Sequence, residues 1–422
     1  MTTDGTTEET ATAATGVRGY LSRIEAVKTL QLPSFRFYLL SNLLFFFGQQ
    51  MQLVARQWLL LQLTPSRTLL GMIGFAQGIA VLLLSLLAGA MTDRVARRNL
   101  LMAGQAGQMG VALIMGVLIV TGVVQIWHII AASIVIGIFL AFTQPATQTF
   151  VFDLVGKERL MNALAVNSSA TGLAQMAGPA LAGLLIATVG IAGTYWVSSG
   201  GYVVALLALC AIPIAGQAGI GRRKSIWHDI REGLEQVRGN PVVLWLLGLA
   251  MITLFASAIN VLRPVYAKEI LQVGSKGFGL MGASFGLGAI LGAITVASLG
   301  SIRRKGLILI LSGLAWYSLT TIYSVSRFFP LTLGLEVMLG ICSQFWTPAM
   351  MTAMQTSVSE EMRGRVMSIY FMTMQSIFLG QLLSGVMADV IGDTFTLFLS
   401  GVIPVALYLF VLIRVPAIRN LR

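Results

Sequence analysis

Residues 137–158 read GIFLAFTQPATQTFVFDLVGKE, and residues 340–361 read GICSQFWTPAMMTAMQTSVSEE. Gly137, Phe142, Pro145, Ala146, Val155 and Glu158 recur as Gly340, Phe345, Pro348, Ala349, Val358 and Glu361, all six at an offset of 203. Each stretch is an apolar helical run that ends in a polar loop, so the chain reads as two similar halves. A parallel repeat of six-helix units about an axis along the membrane normal produces such a recurrence. Transporters built that way place the substrate at the midplane between the halves.

Composition supports a membrane setting. Of 422 residues, 56% are hydrophobic and 10% charged, whereas soluble domains carry roughly a quarter charged residues. Covering so much apolar surface with so few charges requires lipid as the solvent. Runs long enough for a span, which takes roughly 20 helical residues, fall at 37–63, 69–91, 100–122, 127–151, 163–189 and 192–215 in the first half. The second half gives 242–263, 278–299, 306–325, 331–352, 366–390 and 395–415. The fold class is therefore all-α membrane protein, with twelve transmembrane helices in two pseudo-symmetric six-helix bundles.

The formal charge of +12 is distributed between the runs. With the amino terminus inside, cytoplasmic segments hold 22 of the 28 basic residues, and the opposite side holds Arg67, Arg263, Lys268, Lys276 and Arg327. That asymmetry fixes orientation, with both termini in the cytoplasm. It also removes the reason to expect nucleic acid as a partner. Residues 1–35 are Thr/Ala/Glu-rich with acidic Asp4, Glu8 and Glu9, which reads as a disordered tail rather than a cleaved signal. Residues 217–241 form a linker in which Ile226, Ile230, Leu234 and Val237 keep helical spacing, so an amphipathic helix is expected on the cytoplasmic surface. The bundles are then residues 36–216 and 242–415, followed by a short tail at 416–422.

The run Gly89-Ala-Met-Thr-Asp93-Arg94-Val-Ala-Arg97-Arg98 resembles the signature loop of the major facilitator superfamily. Three further stretches resemble its enterobactin-exporter and macrolide-efflux branch, the transmembrane secretion effector type. They are Met51-Gln-Leu-Val-Ala-Arg-Gln-Trp58 with Leu63-Thr-Pro-Ser66, Phe75-Ala-Gln77, and Glu361-Met-Arg363-Gly364-Arg365-Val-Met-Ser-Ile-Tyr370. The resemblance implies two bundles rocking about a cavity lined by spans 1, 4, 7 and 10. It implies a cytoplasmic gate at Gly89, Asp93, Arg94, Arg97, Arg98, Arg363 and Arg365, in which Asp93 braces the helix end near Val366. A carboxylate beside a helix amino terminus is favourable there; the alternative is a loop anchored in the headgroups. The family's fifth-span motif appears in part, with Gly178, Pro179 and Gly183 as its hinge. The arginine that proton-coupled drug exporters often carry in span 4 is missing.

Of the 28 basic and 16 acidic side chains, all but Arg56 and Glu336 can be placed in loops, tails or interfaces. A charge inside the bilayer persists where a cavity, a partner or a function compensates it. Asn42, Gln49 and Arg56 recur every seven residues, with Gln52 between them, and are expected as one stripe facing the cavity. The expected mechanism has Glu336 accept and release the driving proton. Arg56 pairs with it when the outer side is closed, so moving the arginine away changes the carboxylate's proton affinity in step with conformation. A permanent structural ion pair, or an Arg56 that snorkels to the interface, is the alternative. Gln144, Gln148, Asn260 and Gln344 are further cavity candidates or helix-packing hydrogen bonds.

Cys210 and Cys342 sit in apolar runs without ligand neighbours, so no metal site or disulfide framework is indicated. His128 and His228 lack catalytic neighbours, and no phosphate-cradling loop is present. No enzyme and no cofactor are expected. The reading is a monomeric inner-membrane secondary transporter, with the lipid bilayer, protons and a small-molecule substrate as partners. It exports an amphipathic molecule such as a drug or siderophore. An uptake carrier or facilitator, and a non-transporting sensor or scaffold, are the alternatives.

Overall fold

In lipid every backbone amide must be satisfied within the chain, and a helix does this segment by segment. The computed structural model describes residues 30–92, 94–216, 239–299 and 304–421, and among these there is no strand. Nine helices among the described residues are long and apolar enough to cross a membrane. One of them, Ile126–Cys210, runs for 85 residues and leaves helical geometry at Gly156 and Gly190. Those two breaks make it three spans. The more polar Pro33–Leu63 adds the first crossing, which brings the total to twelve.

We number them in chain order: α1 Pro33–Leu63, α2 Arg67–Thr92 and α3 Arg97–Val120, with α4 126–155, α5 157–189 and α6 191–210 cut from the long helix. The second half contains α7 Pro241–Ile270, α8 Gly274–Ser298, α9 Lys305–Val325, α10 Phe329–Thr356, α11 Met362–Ile391 and α12 Asp393–Arg414. Local chemistry sets the ends. Proline occupies the first turn of α1, α7 and α10, where its missing N–H costs nothing. The Asn240 side chain accepts hydrogen bonds from the backbone N–H of Val242 (3.1 Å) and Val243 (3.3 Å) at the start of α7. The corresponding turns α5–α6 and α11–α12 both use a left-handed glycine, Gly190 at φ 78° and Gly392 at φ 88°. Pro145 in α4 and Pro348 in α10 lie inside their helices at matching positions.

The apolar core shows how the halves meet. We call the end carrying Pro33 and Arg414 the terminal face, and the end carrying Arg67 and Asp393 the far face. Toward the far face one continuous core joins the two bundles, running from Phe45, Trp58 and Ile73 through Ala182 and Tyr195 to Leu262, Phe278, Leu335 and Leu397. Toward the terminal face the core divides. Phe35, Tyr38, Leu101, Phe150 and Ala163 form one cluster in the first bundle, and Leu246, Leu309, Met350 and Tyr408 form another in the second. The molecule is therefore sealed at one end and split at the other. Large aliphatic side chains such as Leu83 (68% exposed) and Ile413 (67% exposed) stand on the outside, as a lipid-facing belt requires.

Two sequence expectations need correction. The seventh span does not end at Arg263: the helix passes through Pro264 and adds a one-turn π-helix, Tyr266–Ile270. The polar stripe of α1 does not face the space between the bundles. Asn42 (5% exposed), Gln52 (1%) and Arg56 (1%) are buried in the first half, because heptad spacing places residues on one face without saying which neighbours that face meets. The tail before residue 30, the amphipathic segment 225–238, and Asp93 lie outside the described residues.

Candidate functional site

Arg263 sits seven residues before the end of α7, and Glu336 seven after the start of α10, about 10 Å inside the far face at 1.5 Å per residue. They meet in a bidentate ion pair: Nε of Arg263 donates to Oε1 of Glu336 at 2.7 Å and Nη2 to Oε2 at 2.9 Å. The Glu336 side chain is fully buried, whereas Arg263 keeps 15% of its own exposed. Its guanidinium also lies 5.4 Å from the centre of the Phe285 ring, a cation–π arrangement. The buried ring of Tyr323, on α9, stands beside the pair. Arg263, and not Arg56, is therefore the partner of Glu336 in this far-face-closed arrangement. Arg56 donates instead to Ser133 Oγ and Gln77 Oε1, both at 3.2 Å. The signal that hides Arg263 in the sequence is Pro264, since a proline after a basic residue reads as a helix end.

Two cavities flank this pair. One, of about 330 Å³, lies between the bundles and is lined by Gln50 and Gln57 of α1, Gln175 of α5, Asn260 and Arg263 of α7, and Gln381 of α11. The other, of about 350 Å³, lies within the second bundle, where Trp316, Tyr317, Trp346 and Met374 surround it. Asn260, Arg263 and Phe285 line both. A small organic molecule thus meets aromatic surface, a few amides and one guanidinium whose charge a buried carboxylate holds. The volumes suit small-molecule sites.

The other sequence candidates are scattered. Asn42 donates to Asn167 Oδ1 at 2.7 Å inside the first bundle. Gln49 and Gln52 carry buried amide atoms without hydrogen-bond partners. Gln144 and Gln148 are exposed on α4, and Gln344 packs against Gly292 of α8. Gly178, Pro179 and Gly183 form a contact surface of α5: a methyl added at Gly183 would come within 2.4 Å of the Ser275 carbonyl and 2.8 Å of Gly279 Cα on α8. Among the basic residues of the expected gate, Arg97 binds Asp153 at 2.5 and 2.6 Å. Arg98 donates to the Ile212 carbonyl, Arg363 to the Gln355 carbonyl at 3.3 Å, and Arg365 lies 3.2 Å from Met362 Sδ. Each of these contacts stays within its own bundle, and Arg94 is exposed. Gly89 lies in the last turns of α2.

The far face carries an ionic closure that sequence reading missed. Arg67, at the start of α2, binds Asp393 of α12 through two hydrogen bonds of 3.1 Å, and also pairs with Glu269 of α7. Asp389 of α11 accepts the backbone N–H of Arg67 and of Thr68 at 2.8 Å each, and the Ser66 hydroxyl at 3.0 Å. The second bundle thereby caps a helix of the first. Gln57 donates to the Asn260 carbonyl at 3.2 Å, and Trp58 stacks on Phe278 with ring centres 5.9 Å apart.

The profile of the family described as "Transmembrane secretion effector" matches residues 25–421. The chain belongs to that family. Among curated proteins, this secretion-effector chain is 26% identical over 387 residues to the multidrug efflux pump Tap of Mycolicibacterium fortuitum, covering 89% of this chain and 93% of the relative. It is 26% identical over 361 residues to the enterobactin exporter EntS of Shigella boydii serotype 4, covering 84% of each. Among solved structures, the nucleoside transporter NupG superposes with a TM-score of 0.70 at 12% identity, over 89% of this chain and 97% of that one. An inward-facing bacterial homolog of the human lysosomal transporter Spinster gives 0.68 at 13% identity, over 91% and 97%. The secretion-effector chain is thus a multi-pass, non-enzymatic membrane transporter of the major facilitator type.

Proposed function

We propose that this protein is a proton-coupled exporter of a small amphipathic molecule, a drug or a siderophore, working as a monomer by alternating access in the inner membrane. Both termini lie in the cytoplasm, as the distribution of basic residues argues, so the split terminal face opens inward. The bundles 36–216 and 242–415 are the moving bodies, joined by 217–241. One observation carries the reading: a core that is continuous at the far face and divided at the terminal face, with a buried carboxylate behind the chamber wall at Glu336. The names of the efflux-pump and enterobactin-exporter relatives support the direction.

Glu336 carries the proton. A carboxylate gripped through both oxygens by a guanidinium is ionised, so the inward-open form is the state after proton release. When the outer side opens, a proton reaching Glu336 cancels its charge and frees Arg263 toward the chamber. The return inward delivers the proton to the cytoplasm and re-forms the pair. The test uses proteoliposomes loaded with acid and a panel of antibiotics and siderophores. Gradient-driven accumulation of the transported compound is expected to vanish in Glu336→Gln while exchange down the compound's own gradient persists. Undiminished accumulation in that variant removes Glu336 from the role.

A further inference from the structure

Arg56 is 1% exposed in the core of the first bundle and has, among the described residues, no carboxylate within 4 Å. Three less deeply buried arginines differ: Arg67, Arg97 and Arg263, with side chains 11%, 16% and 15% exposed, each hold one. Its two hydrogen bonds go to neutral acceptors, Ser133 Oγ and Gln77 Oε1, and Nε has no partner. A guanidinium has five N–H donors and cannot shed its charge. Around it stand more unspent donors. Tyr195 and Tyr202 of α6, both fully buried, face its charge. The Tyr195 hydroxyl is unpartnered, as are both amide atoms of Gln52 one turn away on α1. Tyr202 donates to Gln108 Oε1 on α3 at 3.3 Å, which leaves the Gln108 Nε2 unpartnered as well.

We infer that the first bundle holds a monovalent inorganic anion, of the size of a halide, between Arg56, Gln52, Tyr195 and the Tyr202–Gln108 pair. These groups come from α1, α3 and α6, and the unused ones are N–H or O–H donors, Gln52 adding one spare acceptor. Buried polar groups left unsatisfied by protein atoms are satisfied by water or an ion. Water answers the hydrogen bonds but leaves the charge standing in an apolar core, whereas one negative charge answers both. A divalent oxyanion would over-neutralise a single guanidinium. The site is separate from the Arg263–Glu336 pair and does not depend on the transport reading. By tying three helices to one ion it makes the first bundle a stiffer body.

The test is thermal unfolding of the purified full-length protein in detergent, in potassium chloride against potassium gluconate at equal ionic strength. The midpoint is expected to rise and saturate with chloride or bromide and not with gluconate. Arg56→Gln is expected to abolish the difference. Tyr195→Phe, which keeps the charge and fills the same volume, is expected to raise the half-saturating chloride concentration about tenfold or more, the loss of one hydrogen bond to a charged group. If Arg56→Gln does not fold, wild type and Tyr195→Phe decide between them. Identical midpoints in chloride and gluconate, an undiminished chloride effect in Arg56→Gln, or an unmoved half-saturation in Tyr195→Phe would overturn the site, leaving water as the partner of these donors.

Discussion

Replacing Asp389 by alanine should push the molecule toward the conformation in which the far face is open. The Asp389 carboxylate accepts two backbone N–H groups of the first turn of α2 and one hydroxyl, all across the seam between bundles, so these bonds exist only while the far face is closed. Losing a helix cap costs about 0.5–2 kcal/mol, and losing a carboxylate at a helix amino terminus about 0.3–1 kcal/mol when exposed. Asp389 is solvent-exposed, so the lower part of the combined range applies, about 1–2 kcal/mol, or roughly a 5–30-fold change in the ratio of the two conformations. The assay places a single cysteine at Gln57, in the chamber beneath the seam, in a background without Cys210 and Cys342. Intact cells are then treated with a membrane-impermeant maleimide. Labelling through rare opening is expected to accelerate by that factor in Asp389→Ala and by less in Asp389→Asn, which keeps an acceptor. Equal labelling rates in wild type and Asp389→Ala would refute the claim that this cap holds the far face shut.

Two further outcomes follow from the same geometry. Arg263→Met leaves the fully buried Glu336 without its cation, which costs about 3–5 kcal/mol; its unfolding midpoint should fall, and the double variant Arg263→Met with Glu336→Leu should recover most of the loss, a result that a solvent-screened pair would not give. Gly183→Val drives a side chain into the Ser275 carbonyl of α8, so the Gln57 cysteine should label faster from outside, and wild-type labelling there would show that the α5–α8 contact does not hold the seam.

The architecture was legible because lipid is an unforgiving solvent. Twelve apolar runs and the 203-residue offset needed no knowledge of tertiary contacts, since in hydrocarbon a run of that length has one stable form. Helix ends were less legible. Pro264 looks like a terminator, yet neighbouring helices let α7 continue through it into a π-turn, and that extension moves Arg263 from a loop into the membrane. The facing of α1 was not legible at all. Asn42, Gln49 and Arg56 share one face by arithmetic, but whether that face meets α3, α4 and α6 or the chamber depends on the tilt and rotation of every neighbour. The far-face closure was hidden for a different reason: Arg67 and Asp393 are 326 positions apart, and each alone reads as an ordinary interface charge.

The pair α2 and α11 now has a physical logic. At the far face Asp389, two residues before the end of α11, caps the first turn of α2. The resemblance places Asp93, just past the end of α2, against the start of α11 near Val366. On the gate reading proposed from that resemblance, the same two helices exchange donor and acceptor roles at their two ends. If the bundles rock as rigid bodies, as proposed above, the two caps are alternatives. The Asp389 cap is worth about 1–2 kcal/mol on the scale of a helix cap, and a terminal-face cap of the same kind would offset it. Under the proposed mechanism that balance leaves neither conformation deep enough to trap the protein, so that a proton arriving at Glu336 or a substrate entering the chamber would tip it.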